Sequence, residues 1–164
     1  MKQYLKLTSA FFLFFCLTLG ARAQQYPLAG GIKFGAYEVG PSIKYFYDEN
    51  TALEGVLGFR SGGAVFTGLW EKHMEAFNVS ELNFYYGFGG HVGGGGARYR
   101  RIVGNTYERD KGGMLLGADG VLGLEYVFPE APFAISLDLN PRVELINGSF
   151  FDIAPGLGIK YLFR

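Results

Sequence analysis

The stretch DIAPGLGIKYLFR, residues 152–164 at the end of the chain, decides the fold. Apolar side chains alternate in it with small, polar or charged ones, at Ile153, Leu157, Ile159, Tyr161 and Phe163. A period of two is that of a β-strand whose two faces meet different surroundings. The stretch therefore predicts a strand with one apolar face. Pro155 lacks an N–H donor, so we expect a bulge or the outer rim of the sheet at that position.

Seven earlier segments alternate in the same way. We predict strands at 31–38, 42–47, 51–60, 64–73, 82–93, 114–128 and 133–145. Turn-forming residues separate several of them, such as Asp48-Glu49-Asn50 and Asn147-Gly148. Longer connections are predicted at 74–81 and in the polar stretch 94–113. With the last strand the total is eight, an even number as in bacterial single-chain barrels.

Residues 1–23 have the features of an export signal. Lys2 and Lys6 precede an apolar core at 10–19, and Ala21-Arg22-Ala23 forms a cleavage site. The core is about half the 20 residues that a membrane-spanning helix needs. We therefore predict a cleaved signal peptide at 1–23 and one mature domain at 24–164. Cys16 is the only cysteine, so the mature domain has no disulfide or thiolate metal site.

The composition fits a chain of strands and turns better than a helical protein. There are 26 Gly, 16 Phe and 11 Tyr among 164 residues, and only 18% of the residues are charged. The formal net charge is +0, which argues against a nucleic-acid partner, because binding to phosphates requires a basic excess.

The alternation fits either a membrane barrel with its apolar face outside or a soluble lipocalin-like barrel with that face inside. Glycine, alanine and serine interleave with charged residues on the polar face. This mixture favours an enclosed polar face, since an eight-stranded barrel is only just wide enough for its side chains. The residues predicted to form a charge network in the lumen are Lys33, Lys44, Glu54, Glu71, His91, Asp119, Glu125, Asp138, Arg142, Glu144 and Lys160. Six acids and four bases can pair there and fill the lumen, so we predict an all-β, eight-stranded antiparallel up-and-down transmembrane β-barrel.

Aromatic residues near the strand ends of the apolar face predict a girdle at the membrane interface: Tyr45, Tyr47, Trp70, Tyr86, Tyr126, Phe128, Tyr161 and Phe163. The chain resembles the small outer-membrane β-barrel proteins of Gram-negative bacteria, OmpA/OmpX-like in size. Residues 70–73, 76–79 and 82–87 are similar to an uncharacterised branch of that family. The resemblance implies the fold, an outer-membrane location and a barrel-closing C-terminal signal at Tyr161 and Phe163. It implies no activity.

No catalytic, cofactor or metal site is predicted. Some eight-stranded outer-membrane barrels modify lipid A with a histidine, a serine and an acid. His91 has no serine at a neighbouring position, and we expect it to be a lumen residue bonded to an acid. His73 is expected at the periplasmic rim. Pairing across strands that would bring Ser136 or Ser149 near a histidine is left open.

The segment 97–111 is rich in basic and aromatic side chains and predicts a surface-contact loop of Arg98, Tyr99, Arg100, Arg101, Arg109 and Lys111. Arginine forks bind phosphate groups such as those of lipopolysaccharide. We therefore expect a monomeric outer-membrane barrel with a structural or adhesive surface role. Its expected partners are outer-membrane lipids, lipopolysaccharide and the barrel-insertion machinery. A narrow conduit or small-ligand barrel is the main alternative, followed by a lipid A-modifying enzyme and a soluble carrier.

Overall fold

Eight antiparallel strands form one closed barrel in the computed structural model. The structure describes residues 26–36, 38–60, 63–99, 107–146 and 150–163, with the backbone alone at 96–99, 107–112 and 150. The strands are β1 (Leu28–Gly35), β2 (Val39–Asp48), β3 (Thr51–Arg60), β4 (Gly63–Ala76), β5 (Val79–Tyr99), β6 (Tyr107–Val127), β7 (Phe133–Glu144) and β8 (Phe150–Phe163). The predicted all-β, eight-stranded antiparallel fold is confirmed. The predicted signal peptide lies outside the described residues, and no helix in the described part of the chain is long and apolar enough to cross a membrane.

The barrel closes through a seam between its first and last strands. Leu28 lies opposite Phe163, and the pairing runs without a shift to Gly35 opposite Gly156. Pro155 pairs with β7 in regular register, so the bulge considered for it is absent from this ladder. It lies just beyond the last residue paired with β1, where its missing N–H interrupts no described β1–β8 pair.

The β5–β6 hairpin is longer than the rest of the barrel. It pairs from Leu82–Tyr126 to Tyr99–Tyr107, while the neighbouring strand β4 reaches β5 only as far as Gly95. The four residues of β5 beyond that point add about 13 Å of strand. The predicted loop at 94–113 is therefore wrong over most of its length. The run of glycines at 93–96 has no apolar alternation, and this removed the signal by which a strand is recognised.

The β4–β5 connection is a tight turn and not the longer loop predicted at 74–81. Phe77 and Asn78 occupy the turn, and both have φ of 56°. Two central residues with positive φ are typical of the type I′ turns that join paired strands. Asparagine is common in this conformation, but phenylalanine is rare in it. The sequence therefore provided no indication of a two-residue turn at this position.

The strain at Phe77 leads to a stability prediction. A non-glycine side chain in the left-handed region costs about 1–2 kcal/mol, and asparagine tolerates this region better. Phe77 is 83% exposed and so has few contacts to lose. We expect Phe77→Asn to raise the free energy of unfolding by about 1 kcal/mol, measured by urea unfolding of the purified barrel in detergent. Asn78→Ala should lower it, and a loss of stability in Phe77→Asn would contradict the strained turn.

The strands direct apolar side chains outward and charged ones inward. Large exposed side chains on the outside include Ile43, Leu57, Phe88, Leu137 and Ile159. Buried inside are lysines, acids and both histidines, which belong to the alternate positions of the same strands. The arrangement is the reverse of a soluble barrel with an apolar core. It makes the lumen the place where polar chemistry is concentrated.

Candidate functional site: the charged lumen

The two ends of the barrel differ, and they set the positions of the lumen side chains. The lower end carries Tyr26, the end of β8 and the turns after β2, β4 and β6. The upper end carries the connections after β1, β3, β5 and β7. The lumen contains two groups of ion pairs, one central and one near the upper end.

Lys44 lies in the middle of the first group. Its side chain is fully buried, and its Nζ lies 2.9 Å from Glu71 Oε2 and 3.2 Å from Glu125 Oε2. The same Nζ lies 4.5 Å from the centroid of the Tyr85 ring, which is close enough for a cation–π interaction. A buried cation is stable only when it is surrounded by such partners, because desolvation is costly.

Two further lysines extend the group across the barrel. Lys160 Nζ lies 2.9 Å from Glu54 Oε1, and Lys33 Nζ lies 3.4 Å from Glu54 Oε2 and 3.2 Å from Asp138 Oδ2. The hydroxyl of Tyr85 donates to Asp138 at 2.7 Å. The acids of this network are shared between cations. The central cluster is hereafter Lys33, Lys44, Lys160, Glu54, Glu71, Glu125 and Asp138.

Aromatic side chains fill the lumen below and beside the central cluster. Tyr85 is fully buried and stacks on the His73 ring with 5.0 Å between the centroids. Phe46 contacts His73 edge-on at 4.9 Å and Tyr26 at 5.2 Å, and the Tyr26 hydroxyl donates to Glu125 at 2.8 Å. The backbone of His73 lies at the lower end, where its N–H donates to the Asn50 carbonyl at 2.7 Å, but its side chain points inward. It is 5% exposed, and its Nε2 lies 3.1 Å from a central-cluster acid. The lower lumen is thus a packed plug.

A second group, the upper cluster, consists of Glu38, His91, Asp119, Arg142 and Glu144. His91 Nδ1 lies 2.7 Å from Asp119 Oδ2, and His91 Nε2 lies 3.2 Å from Glu144 Oε2. Arg142 donates from Nε to Asp119 at 2.6 Å and from Nη2 to Glu38 at 3.0 Å. Because carboxylates occupy both ring nitrogens, neither nitrogen is left to activate a hydroxyl.

The serine–histidine pairing that the sequence left open is not formed with Ser136. Ser136 lies opposite Glu125, whereas His91 lies opposite Gly117. The two β6 positions are eight residues apart, which corresponds to about 26 Å along the strand. Ser149, the other serine considered, lies outside the described residues. The hydroxyl residue opposite His91 is Thr67 on β4, while the two ring nitrogens of His91 contact Asp119 and Glu144.

The eleven residues predicted for the lumen network are all buried. Nine of them form ion pairs that involve a lysine or an arginine, and His91 and Glu144 lie 3.2 Å from each other. Sequence reasoning missed Glu38, Asp152, Tyr26 and Tyr85. The position of Asp152 in its alternating strand could have found it, because it shares a face with Lys160. The same signal was present for Tyr85, because it shares a face of its alternating strand with His91. Tyr26 carried no such signal, since it precedes the first strand.

The predicted surface-contact loop is part of the long hairpin. The backbone of four of its residues belongs to β5 and β6: Arg98, Tyr99, Arg109 and Lys111. In the backbone register of the two strands, residue 98 lies opposite residue 108. Arg100 and Arg101 lie outside the described residues. The hairpin therefore carries four of these six residues on paired strands, where a loop was expected.

Glycines make room for the large lumen side chains. A Cβ added at Gly117 would lie 2.4 Å from His91 Cε1, and one added at Gly123 would lie 2.6 Å from Tyr85 Cζ. Both distances are far below van der Waals contact. At these two positions a large lumen side chain therefore lies opposite a glycine of the adjacent strand.

This packing predicts that an inward glycine tolerates no methyl group. Gly123→Ala should lower the free energy of unfolding by about 1–3 kcal/mol, because the methyl overpacks against Tyr85 and the Leu137 carbonyl. Gly55→Ala is the matched control on the outside, where the nearest atoms would be 3.7 Å away. Urea unfolding in detergent measures both. Equal effects of the two substitutions would show that the lumen glycines do not provide this space.

The geometry gives the lumen two different parts. The lower part is closed by the central cluster and the aromatic plug, so its side chains neutralise and pack against one another. The upper part holds the His91 and Arg142 pairs beside open space.

A scan against protein-family models finds no match for this chain, and a search of curated proteins finds none with significant sequence similarity.

Proposed function

We propose that the protein is a small outer-membrane β-barrel with a structural and surface-contact role, in which the β5–β6 hairpin is the contacting element. The apolar outer wall around a charged interior is the observation that carries the proposal. Soluble monomers rarely expose contiguous apolar patches of more than a few hundred Å². Here exposed apolar side chains occur on all eight strands, with Leu137 63% and Phe88 67% exposed. Such an apolar outer surface is stable in contact with lipid, whereas in water it would be costly to expose.

The height of the apolar wall supports the same proposal. On β8 the outward side chains run from Phe151 to Phe163, twelve residues apart. At 3.3 Å per residue and the usual tilt of about 40°, this corresponds to a band of about 30 Å. The hydrocarbon core of a bilayer is of similar thickness, about 30 Å.

Tyrosine and tryptophan on this wall lie toward the lower end. Tyr47 lies near the end of β2, and its hydroxyl accepts a hydrogen bond from Trp70 Nε1 at 2.8 Å. Tyr161 and Phe163 contact each other edge-on at the end of β8. Such amphipathic rings favour the membrane–water interface. Together with the predicted export signal, they support insertion with the lower end in the periplasm, with Tyr161 and Phe163 as the proposed signal for the insertion machinery.

A conduit is disfavoured by the lumen. Tyr85 and Lys44 are fully buried in the plug, and the central cluster links side chains across the barrel. The long hairpin is better suited to a role at the cell surface. The hairpin extends past β4, and its strands contain Arg98, Arg109 and Lys111. Lipopolysaccharide phosphates are the proposed partner of these cations.

The location is tested by fractionating the cell envelope and comparing boiled and unboiled samples on SDS gels. We expect a band in the outer-membrane fraction whose mobility changes on boiling, because the closed barrel resists SDS until it is heated. A protein that fractionates with the periplasm and shows no such shift would refute the membrane barrel.

The surface role is tested with the barrel reconstituted in phosphatidylcholine vesicles. Binding of lipopolysaccharide core oligosaccharide should weaken when Arg98, Arg109 and Lys111 are replaced by serine, and it should fall with added salt. Glu108→Ser with Asp110→Ser is the matched control on the same hairpin and should not weaken binding. If the basic variant and the unchanged protein bind equally, the hairpin does not contact phosphates.

A further inference from the structure

His91 joins three strands near the upper end of the barrel. It lies on β5, its Nδ1 is 2.7 Å from Asp119 Oδ2 on β6, and its Nε2 is 3.2 Å from Glu144 Oε2 on β7. All three side chains are buried. These three residues are hereafter the His91 bridge.

The contacts of His91 require one proton more than a neutral ring carries. A neutral imidazole has one N–H donor and one lone pair, whereas an imidazolium donates from both nitrogens. Asp119 also accepts from Arg142 Nε at 2.6 Å, and Glu144 Oε1 accepts from the Leu116 N–H at 2.9 Å. Both carboxylates therefore act as acceptors, and a neutral ring would place its lone pair against one of them.

The ring is a better place for this proton than the Glu144 carboxylate. Imidazole is the stronger base of the two groups in water. An imidazolium between two carboxylates also compensates charge in a buried site, which a protonated Glu144 beside a neutral ring would not do. His91 is therefore a buried cation in this arrangement.

The His91 bridge is attached to the base of the β5–β6 hairpin. The uppermost pair in the described β6–β7 register is Gly117 opposite Glu144, and above it the Leu145 N–H donates to the Leu116 carbonyl. The Glu144 carboxylate accepts from the N–H of the same Leu116. From there β6 continues to Tyr107 as one strand of the hairpin. The hairpin root is hereafter Leu116, Gly117, Glu144 and Leu145.

We infer that the His91 bridge is a pH-sensitive switch at the hairpin root. While His91 carries both ring protons, it holds Glu144 against β6. When the pH rises, Nε2 releases its proton to water, and the partly open cavity lined by Asp119 provides the path. Nδ1 keeps its proton, because its bond to Asp119 is the shorter one. The Nε2 lone pair then faces the Glu144 carboxylate, which moves away and weakens its bond to Leu116.

The other charged groups around the His91 bridge are, by element, Lys33 of β1, Glu38 of the β1–β2 connection, Arg142 of β7 and Asp152 of β8. Arg142 bonds to Asp119 and Glu38. From β4, Thr67 lies opposite His91 and does not titrate. Carboxyl groups ordinarily titrate at lower pH than histidine, and lysine and arginine at higher pH. The switch therefore depends on the His91 ring. It does not depend on what the hairpin contacts, so it is independent of the proposed surface role.

The test is a pH titration of the isotope-labelled barrel in detergent micelles, followed by NMR. The ring nitrogen signals of His91 should change from two N–H groups to one as the pH rises. The backbone amide signals of Leu116, Glu144 and Leu145 should shift with the same midpoint, because the Glu144 carboxylate moves when the ring loses its proton.

Glu144→Gln is the decisive variant. A glutamine amide has the shape of the carboxylate but also donates, so it can bond to the lone pair of a neutral His91 ring while its oxygen still accepts from the Leu116 N–H. The hairpin root of this variant should not respond to pH. At a pH where His91 is neutral, hydrogen exchange at Leu116 should be about fivefold slower in the variant than in the unchanged protein, the factor expected for one hydrogen bond.

His73 is the internal control in the same spectra. Its Nε2 lies 3.1 Å from one acid and its Nδ1 4.0 Å from the next, so a neutral ring satisfies its close contact. Its titration should leave the hairpin root unchanged. The switch is overturned if the His91 ring shows no such step while the barrel stays folded or if the root amides do not follow that step. It is also overturned if Glu144→Gln responds to pH as the unchanged protein does.

Discussion

Replacing Lys44 with methionine is expected to lower the free energy of unfolding by about 3–5 kcal/mol. The substitution keeps most of the side-chain volume but leaves Glu71 and Glu125 without the cation that lies 2.9 and 3.2 Å from them. A buried carboxylate that has lost its partner carries most of this penalty, more than the lost attraction itself. Urea unfolding in detergent, followed by the mobility shift on SDS gels, measures the effect.

Lys72→Met is the matched control for this substitution. Lys72 lies on the alternate face of β4, where its Nζ donates to Thr51 at 2.9 Å without an ion pair to the central cluster. Its replacement should cost about 1 kcal/mol or less. Combining Lys44→Met with Glu71→Gln should recover part of the loss by removing one unpaired acid. If Lys44→Met costs no more than Lys72→Met, the central cluster does not stabilise the barrel.

Replacing Leu137 with arginine is expected to lower the free energy of unfolding from lipid vesicles by about 2–4 kcal/mol. Leu137 is 63% exposed and lies between Leu124 and Leu157 in the middle of the outer wall. Lipid at that depth cannot solvate a guanidinium group. A soluble protein would respond differently, because water solvates an exposed arginine at little cost.

The depth dependence provides the control for Leu137→Arg. Phe133→Arg places the same charge at the lower end of β7, where the expected cost is about 0–1 kcal/mol. Both variants are compared by folding into vesicles at several urea concentrations. If the two substitutions have the same effect, no lipid core surrounds the middle of the barrel, and the membrane proposal fails.

The alternation of side chains was enough to predict eight strands and the face to which each residue belongs. β3 agrees with its predicted range, and β7 differs by one residue. The alternation could not predict a strand where the residues have no side chains. The glycines at 93–96 carry no side chains to alternate, yet their backbone pairs with β6 as far as the shift between Gly95 and Ala97.

The lumen was less predictable than the strands, because its contacts join residues far apart in the chain. The polar face identified the cations and acids, but not which of them pair. We expected His73 at the rim because it lies near a strand end, but it shares a face of β4 with Glu71, and its side chain points inward. Glu38 lies between strands, where parity has no meaning, and Arg142 reaches it across 104 positions of sequence.

The seam between β1 and β8 gives the strand order the topology of a circle. Leu28 and Phe163 lie opposite each other, so a short linker could join the two ends at the lower rim. A circular permutant that opens at Glu49 and Asn50, in the two-residue turn after β2, would keep every strand pair of the barrel. Permutation would move Tyr161 and Phe163 to the interior of the chain while leaving them in place in the barrel. It would therefore separate their contribution to closing the barrel from their proposed role as a C-terminal insertion signal.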